Sequence, residues 1–326
     1  MSTRRELLAV FGAGAFAACS ASFAQSGKVW RIGFLHVGDD HMPPSYDPMR
    51  VAMGELGYED GRNVRYDFSN VADDRAALKA AQAFARDRVD LIVAFDQEAC
   101  SAAHVATKTI PIVMIHASNG IAAGFAKTLA RPGGNMTGFA GRAELPVKEL
   151  EILHEIAPRL SRALLVFDSH DAASVGWRGD VRRAANALGV PLLERDARDP
   201  ASIDAVFAGL KAGDAEAVLF ASTSVRHRHQ KQVLPLATAR GMAMVASRKD
   251  LVVDGGALFS YSYDFSKVGR AAVSRYIHPV LRGTHPGDLP IEEVTEYELV
   301  VNRGVASRHG WNLSQVVLVQ AERIVE

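Results

Sequence analysis

The polar side chains best placed to hold a ligand follow directly on short apolar runs. Asp96, Gln97 and Glu98 come immediately after the run Val89–Phe95. A carboxylate pair there can form charge-assisted hydrogen bonds to a ligand ammonium. The same residues can instead satisfy the free N–H groups of the helix expected over Ala99–Thr107, and the two roles are compatible. His36 ends the run that starts at Trp30, and His116 ends the run that starts at Ile110; each is a candidate for the cleft or a structural histidine. Ser118 and Asn119 open the next helix, where exposed N–H groups suit a carboxylate and capping is the alternative.

The second half repeats this arrangement. Asp168 and Ser169 follow the run at 162–167, Ser222 and Thr223 follow 216–220, and Ser247 and Arg248 follow 242–246. Arg248 is the best single carboxylate clamp, because a guanidinium binds such groups bidentately; the alternative is an ion pair with Asp250 or Asp254. Tyr261 ends the run at 257–261 and Tyr263 follows it, and Tyr46, Phe95 and Tyr263 can sandwich an apolar moiety or serve as core. His227-Arg228-His229 places two histidines two apart on a helix, where they share no face, so it reads as solvated surface and not a metal site.

These positions gain meaning from the elements that carry them. Apolar runs of four to eight residues alternate with amphipathic segments along the chain, the pattern of parallel strands covered by helices. Strands are expected at 30–37, 64–68, 89–95, 110–115 and 134–140, then at 162–167, 190–194, 216–220, 242–246, 257–261 and 294–301. Asp47-Pro48 and Asp199-Pro200 each read as a capping aspartate with proline in the first turn. A long helix is expected over 264–282. Two successive βαβ arrays imply two doubly wound lobes, and in such sheets ligands bind outside the carboxyl ends of the strands.

The bulk properties fit that picture. The chain has 326 residues, zero formal net charge and 48% hydrophobic residues, which suits two ordinary domains and gives no sign of a nucleic-acid partner. Residues 1–24 read as an export signal: Arg4 and Arg5, an apolar stretch Leu7–Ala18, and small residues Ser22 and Ala24 before Gln25. Thr3–Leu8 resembles a twin-arginine signal, and Phe16-Ala17-Ala18-Cys19 half-matches a lipoprotein box, leaving lipid anchoring at Cys19 open. The expected location is the periplasm. Cys100 then remains alone and reads as a buried, inert thiol.

No glycine fingerprint stands at the first strand–helix turn of either half. The phosphate loop, the nucleophile elbow and the zinc-binding helix are absent too. No cofactor and no metal are expected.

Several blocks resemble a known family. Gly54-Glu55-Leu56-Gly57-Tyr58 with Gly61-Arg62-Asn63-Val64, Val89–Ala94, Thr109–Val113 and Leu129–Gly138 are similar, in order, to ABC-transporter substrate-binding proteins that include tryptophan-binding members. Asp254–Ala257, Leu289-Pro290 and Glu298–Asn302 continue the match. The resemblance implies an α/β fold of the type 1 periplasmic binding proteins, two doubly wound parallel-sheet lobes joined by three crossover strands. Residues 28–138 with about 263–293 would form the first lobe, and 139–262 with about 294–326 the second. It further implies hinge closure on a small-molecule solute, delivery to a membrane permease, and a monomer without enzymatic activity. The sequence departs from the family pattern at Phe95-Asp96-Gln97-Glu98, where two glycines and a small hydroxyl residue are usual, and at His116–Asn119.

With acid expected on one lobe and arginine on the other, the cleft suits an amino acid or similar zwitterion. Two alternatives stand beside this reading. One is a ligand-sensing module serving a membrane receptor. The other is an exported hydrolase built on Asp168, His170 and Ser222.

Overall fold

The computed structural model describes residues 27–38, 42–117, 124–141, 145–221 and 223–326. The leader expected over residues 1–24 lies outside the described residues.

The strands run β1 Trp30–Val37, β2 Val64–Val71, β3 Leu91–Ala94, β4 Ile112–Ala117 and β5 Met136–Ala140. Then come β6 Ala163–Phe167, β7 Leu192–Asp196, β8 Ala217–Phe220, β9 Ala243–Ala246 and β10 Phe259–Tyr263. The last are β11 Ile291–Glu293, β12 Tyr297–Asn302 and β13 Ala321–Val325.

Two sheets form. One has the order β11-β5-β4-β3-β1-β2, and the other β13-β12-β10-β9-β8-β6-β7. All pairs are parallel except β10 with β12. The central strands are buried on both faces, as the uninterrupted apolar runs of β3, β6, β8 and β9 require.

Helices cover these faces. In the first half they are α1 Tyr46–Glu55, α2 Asp74–Arg86 and α3 Gln97–Ala106. The second half begins with α4 Leu145–Ile156, α5 Ala172–Leu188, α6 Pro200–Ala208, α7 Thr223–Thr238 and the short α8 Lys249–Val253. After β10 come α9 Phe265–Ala272 and α10 His278–Leu281, then α11 Arg303–Arg308 and α12 Gln315–Gln320.

The chain passes between the sheets three times, between Ala140 and Leu145, between Tyr263 and Phe265, and between Glu293 and Tyr297. After the second passage α9 returns to the first sheet, where Val268, Ala272, Tyr276 and Ile277 join Ile32, Phe34 and Met49 in one core. This is the type 1 periplasmic binding protein architecture.

Several local expectations are corrected. Asp47 does not cap α1; Ser45 occupies the N-cap and makes no side-chain capping bond. Asp199 does cap α6, in a reciprocal capping box with Ser202. The helix expected as continuous over 264–282 is interrupted by a π-turn at Val273–Ile277. Pro279 supplies the cause, since it lacks an N–H and crowds the carbonyl four residues back. Strands β11 and β13 and helix α8 were not expected; each is short, and β11 and β13 lie at sheet edges where pattern is weak.

The Leu129–Gly138 block is scaffolding. Asn135 Nδ2 donates to the carbonyls of Thr107 and Ile110 at 3.2 and 2.7 Å, and Thr137 Oγ1 donates to Leu289 O at 2.9 Å. Gly138 has φ +130° and lies so near β4 that a Cβ would stand 2.0 Å from Met114 O. At Gly269 in α9 a Cβ would stand 2.3 Å from Ser45 O at the start of α1. Gly269→Ala is expected to lower stability by about 1–3 kcal/mol through overpacking, read from urea unfolding. Ala at the exposed Gly54, where the new Cβ meets nothing within 4 Å, serves as the neutral control.

Candidate functional site

Each sheet reverses its strand order between its first and third strands, at β1/β3 in one and β6/β8 in the other. Helices leaving these neighbours go to opposite faces, so a crevice opens at the strands' carboxyl ends. A cleft of about 1120 Å³, counting the solvent at its open mouth, lies there.

From the first-sheet side His36, Val37, Phe95, Asp96, Gln97 and Glu98 line it, with Met42, Pro43 and Pro44 ahead of α1. Facing them are Trp177 of α5, Arg226, His227 and Arg228 of α7, and Ser247 and Arg248 after β9. Tyr263, Phe265 and Tyr297, at the passages between sheets, also line the cleft.

Asp96 is committed to the scaffold. Its Oδ1 accepts from Ala99 N at 2.7 Å, capping α3, and its Oδ2 accepts from Val37 N and His36 Nδ1, both at 2.8 Å. The carboxylate therefore ties β1 to β3 and fixes the imidazole of His36 at the cleft wall.

Glu98 has a different role. It stands on the first turn of α3 with its side chain 14% exposed, and its Oε1 lies 3.9 Å from a terminal nitrogen of Arg228 on α7. Opposite charges from the two sheets thus meet across the cleft.

The arginines divide by environment. Arg248 is held bidentately by Asp250, at 2.9 Å from Nε and 2.8 Å from Nη2, so the ion-pair alternative is the one formed. Arg226, absent from the residues singled out in the sequence, is 2% exposed. It is paired with the equally buried Glu149 of α4. Its Nε–H and the second oxygen of Glu149 have no partner among the described residues. Burial pushes the Glu149 carboxyl up to about 7, against the pull of Arg226.

Ser247 faces the cleft but is held from behind, its N–H and Oγ donating to Gln230 Oε1 at 3.1 and 3.0 Å. The reading of His227-Arg228-His229 as solvated surface is corrected for two of the three. His227, itself exposed, and the half-buried Arg228 line the cleft, because that end of α7 faces the opposing half of the molecule.

The remaining expected residues fall as follows. Phe95 and Tyr263 line the cleft. Tyr46 lies beneath it, edge-on to Phe34 at 5.0 Å in the aromatic core. Tyr261 stacks on Tyr297 at 5.2 Å, behind the lining. His116 belongs to β4 and Thr223 opens α7; Ser118, Asn119 and Ser222 lie outside the described residues.

Asp168 and Ser169 are not among the lining residues. Ser169 Oγ donates to Asp196 at 2.5 Å and meets His170 Nδ1 at 3.2 Å, and that same nitrogen is 3.6 Å from Asp168. The same ring nitrogen thus faces both neighbours, whereas a hydrolytic relay uses one nitrogen toward each partner; Ser222, the serine of the hydrolase alternative, lies outside the described residues. Among the described residues no group of three or more acidic, histidine or cysteine side chains is placed to hold a metal.

The model of the ABC transporter substrate binding protein family matches residues 35–325. The chain belongs to that family. A tyrosine-binding protein of Clostridioides difficile is 26% identical over 252 residues, 77% of this chain and 72% of its own. Among solved structures, a conserved domain protein from Vibrio cholerae has a TM-score of 0.80 at 23% identity, covering 91% of this chain and all of its own. A domain in complex with L-tryptophan from Streptococcus pneumoniae has a TM-score of 0.79 at 20% identity, with the same coverage. Members of that family are the substrate-binding components of ABC transporters.

Two outcomes are expected for the cleft wall. Asp96→Ala removes a cap and leaves Val37 N–H unsatisfied, costing about 2 kcal/mol of stability, read by urea unfolding. For Glu149, below pH 4.5 the carboxyl is protonated in folded and unfolded chains alike. Between 4.5 and about 7 the unfolded chain gives up its proton first, so this group's contribution to stability falls as pH rises through that window. Glu149→Gln is expected to remove that decline, measured as unfolding free energy against pH.

Proposed function

We propose that the protein is the extracytoplasmic solute-binding component of an ABC import system, and that it captures an amino acid with an apolar or aromatic side chain. The observation that carries this reading is the approach of Glu98 to Arg228 at 3.9 Å from opposite sides of the cleft. An ammonium placed at Glu98 and a carboxylate placed toward the arginine wall would each meet a complementary charge. The flanking Phe95, Trp177, Tyr263 and Tyr297 supply apolar surface for a side chain. The tyrosine-binding relative and the L-tryptophan-bound neighbour support the same ligand class.

Capture works by differential binding. The lobes swing about the three passages between sheets, and a solute touching both sides favours the shut arrangement by whatever contacts the open one lacks. The shut form is then presented to a membrane permease in the periplasm. The sheet of β1–β5 and β11 with its helices acts as one rigid lobe, and the sheet of β6–β10, β12 and β13 with its helices as the other.

Isothermal titration of the purified protein against the L-amino acids tests the reading. Heat is expected with one or more aromatic or large aliphatic members. Glu98→Gln and Arg228→Gln are each expected to weaken binding about tenfold or more. Silence across the whole panel would sink it.

A further inference from the structure

We propose that Arg226 receives the solute's carboxylate, and that Glu149 is the positioning residue that holds the guanidinium for it. This deepens the function proposed above and rests on a carboxylate-bearing solute.

Three observations carry it. Arg226 lines the cleft although only 2% of it is exposed, so a ligand oxygen reaching it is shielded from competing water. A guanidinium has five N–H donors in a fixed fork; here one terminal nitrogen is taken by Glu149, and the Nε–H has no partner among the described residues. The pair is also built from elements that frame the cleft: Glu149 sits on α4, just after the first passage between sheets, and Arg226 on the opening turns of α7 after β8.

The other two arginines in the lining are less suited. Arg248 is gripped on two nitrogens by Asp250. Arg228 is the cation that faces Glu98. A carboxylate at Arg226 makes a second acidic partner for one buried guanidinium, and burial has already raised Glu149 toward its neutral form. The Glu149 carboxyl can therefore keep its proton while the solute's carboxylate supplies the counter-charge, which leaves the buried triad with no net excess charge. No covalent step is involved.

Selection against neutral head groups follows. An amide or an amine in the same place leaves the buried cation without its new partner and gains no charge-assisted bond.

The test uses three probes that differ only in head group: L-tyrosine, L-tyrosinamide and 3-(4-hydroxyphenyl)propionate. The intact chain is titrated with each, alongside Arg226→Lys and the double variant Glu149→Gln/Arg226→Met. The double variant removes the pair together, so it avoids a lone buried charge and is expected to fold; circular dichroism verifies that. Wild type is expected to prefer L-tyrosine over L-tyrosinamide by about 30-fold or more, and the double variant to lose most of that preference. Arg226→Lys keeps part of it.

A merely structural pair would lower affinity for acid and amide alike and leave their ratio unchanged, which overturns the inference, as does an unchanged affinity for L-tyrosine. Binding of the propionate through Arg226 without binding of L-tyrosine would retain the inference and reject the zwitterion reading. No binding of any probe overturns the inference, while the function proposed above falls only on silence across the whole amino-acid panel.

Discussion

Everything in this molecule depends on the constraint that parallel strands can be joined only by long crossovers, which put helices on both faces of a sheet. Such a sheet has no face left for a ligand. It has one gap, where neighbouring strands send their helices to opposite sides. The chain makes that gap twice, at β1/β3 and at β6/β8, and the three passages between sheets bring the two gaps together. The positions of Asp96, Glu98, Arg226 and Ser247 are consequences of that topology before they are matters of chemistry.

Within the cleft nearly every charge has a counter-charge supplied by the protein. Asp96 is matched to His36, Arg248 to Asp250, and Arg226 to Glu149. What separates these pairs is their setting. The Arg248 pair is water-exposed and local, two residues apart, so it contributes little to stability. The Arg226 pair is almost wholly buried at the cleft wall, so its cost of desolvation is large and the Glu149 carboxyl is pushed up. The Glu98–Arg228 approach is different again, because its members belong to helices that cover different sheets. A contact of that kind senses the separation of the two halves, whereas the others sense only their own half.

The sequence made the elements legible wherever periodicity was strong. The bounds expected for the first strand, 30–37, coincide with β1. The acidic stretch at 96–98 was also legible, as a consequence of its place after a buried strand. Both meanings weighed for it occur, shared out between residues: Asp96 caps a helix and Glu98 faces the cleft. The failures were non-local. His227 and Arg228 look like an outer helical face until the opposing half is brought up to face them across the cleft. Arg226, one residue earlier, looks no different in the chain from its neighbours, and only the burial of Glu149 seventy-seven residues away marks it out. Trp177 carries no signal at all in the sequence, since an aromatic residue on an amphipathic helix is ordinarily core.

That tryptophan has a use of its own. Trp177 stands in the cleft wall at 7% exposure, whereas Trp30 lies under the Lys28 ammonium and Trp311 stacks on His309, and neither of those lines the cleft. Indole emission shifts with the polarity and mobility of its surroundings, so one of the three fluorophores reads the state of the cleft while the other two give a steady background. The protein thereby carries a built-in optical gauge, and any solute that enters announces itself without a label.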